Sequence, residues 1–234
     1  MRSRLIPLPL APMVAVAALA LWAQPTFAQA GAYSRSYDPY QSGYGLPRIT
    51  GALRIGLDVP SGRAFTGMPL EDLFEPQLGV MGELGVRVNP NVVLGGYLGF
   101  GFGSAGERFD GWCGGSDCGA YSFRIGFMGQ YVFAPYANVT PWLGYGFGFT
   151  ASVASGDDRG FEFSYSYAGF DLARLMAGID LRPSGRVGIG FYVDYSVGVY
   201  RAYHWDENEV TIDDGTIRDS TIHHWFSFGP RISF

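Results

Sequence analysis

The sequence predicts an all-β protein, namely an eight-stranded antiparallel up-and-down transmembrane β-barrel. Residues 186–200 alternate between apolar and small or polar side chains, which is the pattern of a strand with two different faces. Seven further segments alternate in the same way, and the links between them are alternately short and long. Charged residues make up only 16% of the 234 residues, too few to cover a water-exposed exterior.

The length of the alternating segments favours a membrane over a soluble fold. A tilted transmembrane strand needs about nine to eleven residues, whereas an ordinary globular strand has about five or six. The predicted strands cover residues 48–59, 78–88, 91–103, 120–133, 140–153, 162–181, 186–200 and 221–234. An even number fits closure of an antiparallel bacterial barrel. The sixth segment is the least regular, because Asp171 falls on its apolar face.

The lengths of the links indicate which rim of the barrel is periplasmic and which is extracellular. Short links with turn residues lie at 89–90, 134–139 and 183–185, and long links lie at 60–77, 104–119, 154–161 and 201–220. Short periplasmic turns and long extracellular loops are typical of outer-membrane barrels. In the fourth long link, Asp214 and Gly215 predict a two-residue hairpin turn, so that the last two strands continue outward as a protruding ribbon.

The first thirty residues predict a secretory signal. Arg2 and Arg4 precede an apolar run over residues 5–22, and Ala28-Gln29-Ala30 forms a small-residue cleavage site. A retained membrane anchor is the alternative, but prolines within the run favour Sec-type export with cleavage near Ala30. Residues 31–47 predict a periplasmic linker before a barrel of residues 48–234; a lumenal plug is the other possibility for this segment.

Charge placement predicts which face of each strand points inward. The strand charges lie almost wholly on the glycine-rich face: Arg54, Arg87, Arg124, Arg174, Arg231, Asp58, Glu83, Asp180 and Asp194. Near balance of charge suits an enclosed, dry lumen, so the apolar face should contact lipid. An eight-stranded barrel has room inside only for side chains, so these charges should pair with one another.

Two lumenal ion pairs are predicted. A three-residue turn at 183–185 would place Arg174 directly opposite Asp194, and Arg54 and Glu83 lie at similar height on neighbouring strands. Their functional interpretation is a gate or a proton path. The structural interpretation, a satisfied polar core, is favoured because an unpaired buried charge costs several kcal/mol.

Other candidate sites favour structural roles. In an exported protein, Cys113 and Cys118 predict a disulfide that pins the second long loop, and no further metal ligands or cofactor motifs lie nearby. His223 and Ser227 fall on the lumenal face and His224 on the lipid face, so they do not predict a hydrolase. Together with nearby aromatic residues they predict an interfacial girdle, formed with Trp225, Tyr200 and Tyr203.

The net charge limits the kinds of partner that the protein can bind. Two of the sixteen basic residues lie in the predicted signal, which leaves fourteen against twenty-one acidic residues, a net charge of about −7. Nucleic acid is therefore not expected as a partner. The long links are acidic, and they predict either a solvated rim or a rim that divalent cations bridge to lipopolysaccharide phosphates.

The last strand completes a resemblance to a known family. The chain ends in an aromatic pattern with even spacing, formed by Phe226, Phe228, Ile232 and Phe234. With the signal peptide, the eight strands and the alternating links, residues 48–234 resemble the small eight-stranded outer-membrane proteins related to the OmpA transmembrane domain, OmpX and Ail. The resemblance is architectural. It implies a Gram-negative outer membrane, contact with lipid and lipopolysaccharide, and a barrel-assembly machinery that reads the terminal strand.

We therefore expect a non-enzymatic barrel with a role in the cell envelope or in surface interaction. One alternative is an adhesin or ligand-binding protein that acts through the protruding hairpin of the last two strands. A second alternative is a narrow pore for small solutes. Residue patterns alone do not separate these three.

Overall fold

The computed structural model describes residues 46–109, 118–158, 161–182, 187–208, 210–219 and 221–234. The strands are β1 (Ile49–Phe65), β2 (Met68–Pro69), β3 (Gln77–Asn89), β4 (Val92–Ser104), β5 (Gly119–Val132), β6 (Val139–Asp158), β7 (Phe161–Leu181), β8 (Gly188–Glu207), β9 (Val210–Thr216) and β10 (Ile222–Ser233). A single 3-10 turn occupies Glu107–Phe109 among these residues. No helix in the described part of the chain is long and apolar enough to cross a bilayer. The predicted signal and most of the predicted linker lie outside the described residues.

Eight strands close into a ring, which confirms the predicted fold class. The order around the ring is β1-β3-β4-β5-β6-β7-β8-β10, and every pair of neighbours is antiparallel. β10 closes the ring, because it pairs with β8 on one side and with β1 on the other. The two remaining strands lie outside the ring, β2 on β1 and β9 on β8. Closure leaves no unpaired edge around the wall.

The two faces of the wall have the predicted polarity. Along β8, Ile189 and Phe191 are exposed on the outside, whereas Tyr192 and Asp194 are buried inside. The same alternation runs around the ring, so large apolar side chains cover the exterior. We call this exterior the apolar belt. It is the inverse of a water-soluble barrel, whose apolar face would point inward.

Three strands extend beyond their predicted ends into the long links. β1 continues to Phe65, β6 to Asp158 and β8 to Glu207. These extensions lie above the apolar belt and have few apolar residues on their outer face, so their sequences lack the alternation that predicts a strand. We call the end of the barrel that carries the long links the long-loop end, and the opposite end the short-turn end.

A β-bulge explains the irregular sixth segment. In β7, Asp171 pairs with Gly198 and Ala173 pairs with Val197, which leaves one extra residue, Leu172, between them. Leu172 is exposed on the outside and Asp171 is buried inside. The position of Asp171 on the apolar face is therefore wrong, because a strict period of two does not hold across a bulge.

The predicted hairpin turn at Asp214 and Gly215 is also wrong. Those residues lie within β9, opposite His204 and Tyr203 of β8. The chain reverses instead after Asn208, which has a positive φ of 49°, a conformation that asparagine tolerates better than most residues. A protruding ribbon is nevertheless present: β6, β7, β8 and β9 form a sheet that rises above the rest of the rim.

A second apolar cluster closes the long-loop end from inside. We call it the apolar cap; its largest members are Leu70, Leu73, Phe74, Phe109, Phe163, Tyr167, Tyr200, Ile217 and Trp225. The segment between β2 and β3 contributes Leu70, Leu73 and Phe74, each at most 1% exposed. The predicted interfacial girdle is therefore wrong for Trp225 and Tyr200. Both residues are fully buried, because they lie in phase with the lumenal face of their strands.

Candidate functional site

The lumen contains a continuous chain of buried ion pairs. Arg54 contacts Glu83 and also Asp194, with 3.1 Å between Nη1 and Oδ2. The Nε of Arg174 donates to the same Asp194 oxygen at 2.7 Å. On the other side, Arg231 bonds Glu83 at 3.0 Å and also contacts Asp180. The chain thus crosses the lumen rather than following one strand pair.

The structure brings together both predicted lumenal pairs, Arg54 with Glu83 and Arg174 with Asp194. The predicted register is wrong, however, because Arg174 lies opposite Ser196 and Asp194 lies opposite Met176. Leu181 pairs with Ile189, so the connection is longer than the three residues at 183–185 that the sequence suggested. The long guanidinium of Arg174 bridges this diagonal offset.

Asp171 completes the charge balance of the lumen. Through the bulge it lies inside, 3.7 Å from Nη1 of Arg174. Among the described residues, the buried charges are then five arginines and five carboxylates: Arg54, Arg87, Arg124, Arg174, Arg231, Asp58, Glu83, Asp171, Asp180 and Asp194. A neutral total is what an interior of low dielectric requires.

Aromatic rings fill the space between the charges, and sequence reasoning missed their role. The Arg54 guanidinium lies 5.0 Å from the Trp142 ring and 4.9 Å from the Tyr192 ring. Arg174 lies 4.8 Å from the Tyr97 ring, and Arg124 lies 4.5 Å from the Trp225 ring. At these distances each ring attracts the cation. The available signal was their spacing, since all four rings are in phase with the lumenal glycines.

The lumenal glycines make room for these rings. A Cβ added at Gly126 would lie 2.5 Å from the Tyr97 hydroxyl, and one added at Gly178 would lie 2.5 Å from the Trp142 ring. No real side chain tolerates such contacts. The glycine-rich face is therefore a packing requirement of a narrow barrel with large side chains inside.

Among the described residues, side chains fill much of the lumen, and small cavities lie between them. One cavity, beside Glu83, Asp180 and Arg231, has a volume of about 20 Å³. Another, beside Asp58 and Arg124, has a volume of about 10 Å³. Each has room for about one water molecule.

The two histidines and the serine of β10 form no side-chain hydrogen bonds with one another in the described structure. His223 is fully buried and stacks on Tyr200 with 4.1 Å between ring centroids. His224 lies on the outside, where its Nδ1 and the Tyr195 hydroxyl are 2.8 Å apart. The Ser227 hydroxyl has no hydrogen-bond partner among the described residues. Nor do those residues contain a cluster of three or more potential metal ligands.

The rising sheet has its own polar contacts outside the apolar belt. The Tyr203 hydroxyl donates to Oδ2 of Asp213 at 2.9 Å, and this bond raises the pKa of Tyr203. Asn208 exchanges bonds with Glu162, so the tip of β8 is fixed to the start of β7. The hairpin is thereby tied to the wall on one side.

The remaining predicted site residues lie near the two ends. Cys118 is disulfide-bonded, and its predicted partner Cys113 lies outside the described residues. At the chain terminus, Phe234 exchanges backbone hydrogen bonds with Gly51 at 2.8 and 2.9 Å. The four residues of the terminal pattern are all exposed on the apolar belt: Phe226, Phe228, Ile232 and Phe234.

Comparison with known proteins finds similar architectures at low identity. Neisserial surface protein A is 15% identical, covers 80% of this chain and 98% of its own, and has a TM-score of 0.47. The outer membrane protein OprG from Pseudomonas aeruginosa is 10% identical over 82% of this chain and 98% of its own, also at 0.47. Ail of Yersinia pestis is 11% identical over 80% and 100%, at 0.42. No protein-family model and no curated protein matches the sequence. The fold assignment therefore depends on the strand pairing of this chain, and no activity is carried over.

Proposed function

We propose that this chain is an integral outer-membrane β-barrel protein of a Gram-negative bacterium. The observation that carries the proposal is the inverted polarity of the closed ring, which has an apolar exterior and ten paired or packed charges inside. In a bilayer every backbone group must be satisfied within the protein, and a closed barrel achieves this. The predicted signal peptide and the terminal aromatic pattern support export and recognition by the barrel-assembly machinery.

We further infer that the barrel neither conducts solutes nor catalyses a reaction, and that it serves the envelope or a surface interaction. The packed lumen and the apolar cap support a closed barrel. His224 lies on the opposite face from His223, and neither His223 nor Ser227 has a side-chain hydrogen-bond partner among the described residues, which supports a non-catalytic role. Planar-bilayer recordings test the pore alternative, and stepwise conductance from the purified chain would establish that alternative instead.

Membrane insertion and orientation are tested together on cells. We expect the protein in the outer-membrane fraction after alkaline extraction, with a gel mobility that changes on heating. Protease added to intact cells should cut at the long-loop end, within residues 66–77 or 201–220, and should spare the short-turn end. Recovery in the soluble periplasmic fraction, or cleavage only after cell lysis, would contradict the proposal.

The rising sheet supports surface recognition as the second candidate function. Val210 and Ile212 of β9 are 60% and 49% exposed, well above the apolar belt. Ala202 and Thr216 lie opposite each other, so an Asn-Gly turn can replace residues 203–215 without disturbing the ring. Loss of binding to host cells or matrix, with normal assembly, would favour the adhesin. Unchanged binding would favour the envelope role.

A further inference from the structure

Three exposed arginines lie at one junction of the long-loop end. Arg63 is near the end of β1, Arg201 is on β8, and Arg218 follows β9. Backbone contacts hold the junction together, since Ile217 N donates to the Arg201 carbonyl at 2.8 Å and the Thr221 hydroxyl donates to the Arg63 carbonyl at 3.0 Å. Ile217 is anchored in the apolar cap. We call Arg63, Arg201 and Arg218 the rim arginine patch.

The strand register places this patch at the upper boundary of the apolar belt. Ile222, which is exposed on the exterior, pairs with Val199, and the next residue of β10 pairs with Gly62 of β1. Arg63 is therefore level with Ile222, and Arg201 lies two residues above Val199, about 7 Å in an extended strand. The patch begins where the apolar exterior ends.

An aromatic pair marks the same boundary independently. His224 and Tyr195 lie on the exterior directly below the patch, stacked with 5.6 Å between ring centroids and joined through the Tyr195 hydroxyl. Rings with an apolar body and a polar edge are enriched at the interface between lipid and water. The three guanidinium groups are thus at the height of lipid headgroups.

The arginines of the patch form no ion pairs with the described carboxylates. Among the described residues, none of its three arginines has a carboxylate oxygen within 4.0 Å, in contrast to the paired arginines of the lumen. Asp219 is adjacent to Arg218 in the chain, and further carboxylates lie higher on the hairpin: Asp206, Glu207, Asp213 and Asp214. At this junction the patch therefore lies between the apolar belt and the acidic tip.

We propose that the rim arginine patch binds the phosphate groups of lipid headgroups in the surrounding outer leaflet. The inference rests on the proposed function, because it requires the long-loop end to face that leaflet. A guanidinium presents a fork of donors that matches phosphate oxygens. Binding through the patch is direct, so it does not need a divalent cation between an acidic rim and the phosphates. A second copy of this chain is a poorer occupant, because pairing of two acidic tips would be repulsive.

The test measures lipid binding by native mass spectrometry of the full detergent-solubilised chain, titrated with bisphosphorylated lipid A in EDTA. Each basic residue near an anionic lipid surface contributes about 1 kcal/mol, or roughly fivefold in affinity. We expect Arg201→Gln to weaken binding about fivefold, and the triple variant R63Q/R201Q/R218Q about 100-fold. Arg201→Lys should retain most of the affinity. Arg48→Gln, which removes an exposed arginine at the short-turn end, is the matched control and should change nothing.

Other outcomes would overturn the inference in distinguishable ways. Equal binding by the wild type and the triple variant in EDTA would show that lipid A binds away from the patch. Binding that appears only when Mg²⁺ replaces EDTA would assign recognition to the acidic rim. Full displacement by millimolar inorganic phosphate would indicate a site for free phosphate and not for lipid. Insertion into phosphatidylcholine vesicles is checked separately for both proteins. Failure of the wild type to insert would refute the proposed function, whereas insertion without patch-dependent lipid A binding refutes only this inference.

Discussion

At the scale of single residues, Asp194 is the point on which the lumen depends most. It accepts bonds from Arg54 and Arg174 at 3.1 and 2.7 Å, although Arg54 is 140 residues away in the chain. Alternation along the strands is sufficient to predict that these residues face inward. It is not sufficient to predict the shared carboxylate, because contacts across a narrow lumen depend on side-chain reach and on the length of one turn.

Replacing Asp194 tests whether the network is structural. Asp194→Ala leaves two buried guanidinium groups with too little compensating charge, so we expect it to lower the free energy of unfolding by about 3–5 kcal/mol. Urea unfolding in detergent micelles, followed by heat-modifiable mobility, measures this loss. The control Asp219→Ala removes an exposed carboxylate and should leave stability unchanged. Normal stability of Asp194→Ala together with new ion conductance would instead establish a gate.

Replacing Phe234 distinguishes an effect on assembly from an effect on stability. Its side chain is 60% exposed on the apolar belt, so Phe234→Ala removes little protein packing. If the barrel-assembly machinery reads the terminal pattern, we expect much less protein in the outer membrane but normal refolding of the purified chain into detergent. Phe191→Ala, on a residue of the apolar belt that is 74% exposed, is the control. Equal outer-membrane levels of the two variants would argue against a terminal assembly signal.

At the scale of elements, the alternation of apolar and polar residues does not predict where bulges and turns occur. The period of two is sufficient to predict eight strands and their faces, but a single extra residue in β7 shifts the phase and moves Asp171 inside. Likewise, Asp214 and Gly215 have the composition of a turn but lie in a strand, because pairing with β8 outweighs a local turn preference. The apolar cap was not predicted either, since it joins lumenal side chains of distant strands to a link without periodicity that contributes Leu70, Leu73 and Phe74.

Two deletions test the bulge. Removing Leu172 should restore simple alternation with both Asp171 and Arg174 still inside, so the barrel should assemble with a modest loss of stability. Removing Leu175, from a regular part of β7, should invert the faces of all residues on one side of the deletion and prevent assembly. The fraction of heat-modifiable protein in outer membranes measures both. If the two deletions behave alike, the bulge is not where the phase changes.

At the scale of the whole molecule, the location of the charged side chains determines which face of the barrel wall points outward. Few charges are available, and most of those on the strands are buried inside, so the exterior of the ring is left apolar along the apolar belt. The surface of the long-loop end then has three chemical zones, namely the apolar belt, the rim arginine patch and an acidic tip. The sequence predicts the first and the last, but the patch depends on register between strands that are distant in the chain.

The most direct test of this arrangement is a spin-label scan along β8 of the protein in lipid vesicles, from Ile189 to Val197, with the native cysteines replaced by serine. Collision with oxygen, which concentrates in lipid, and with a water-soluble nickel complex is measured at each position. We predict a period of two, with oxygen maxima at Ile189, Phe191, Val193, Tyr195 and Val197, and low collision rates with both reagents at the residues between them. Oxygen maxima at Tyr192 and Asp194, or high nickel accessibility at Phe191, would contradict the account.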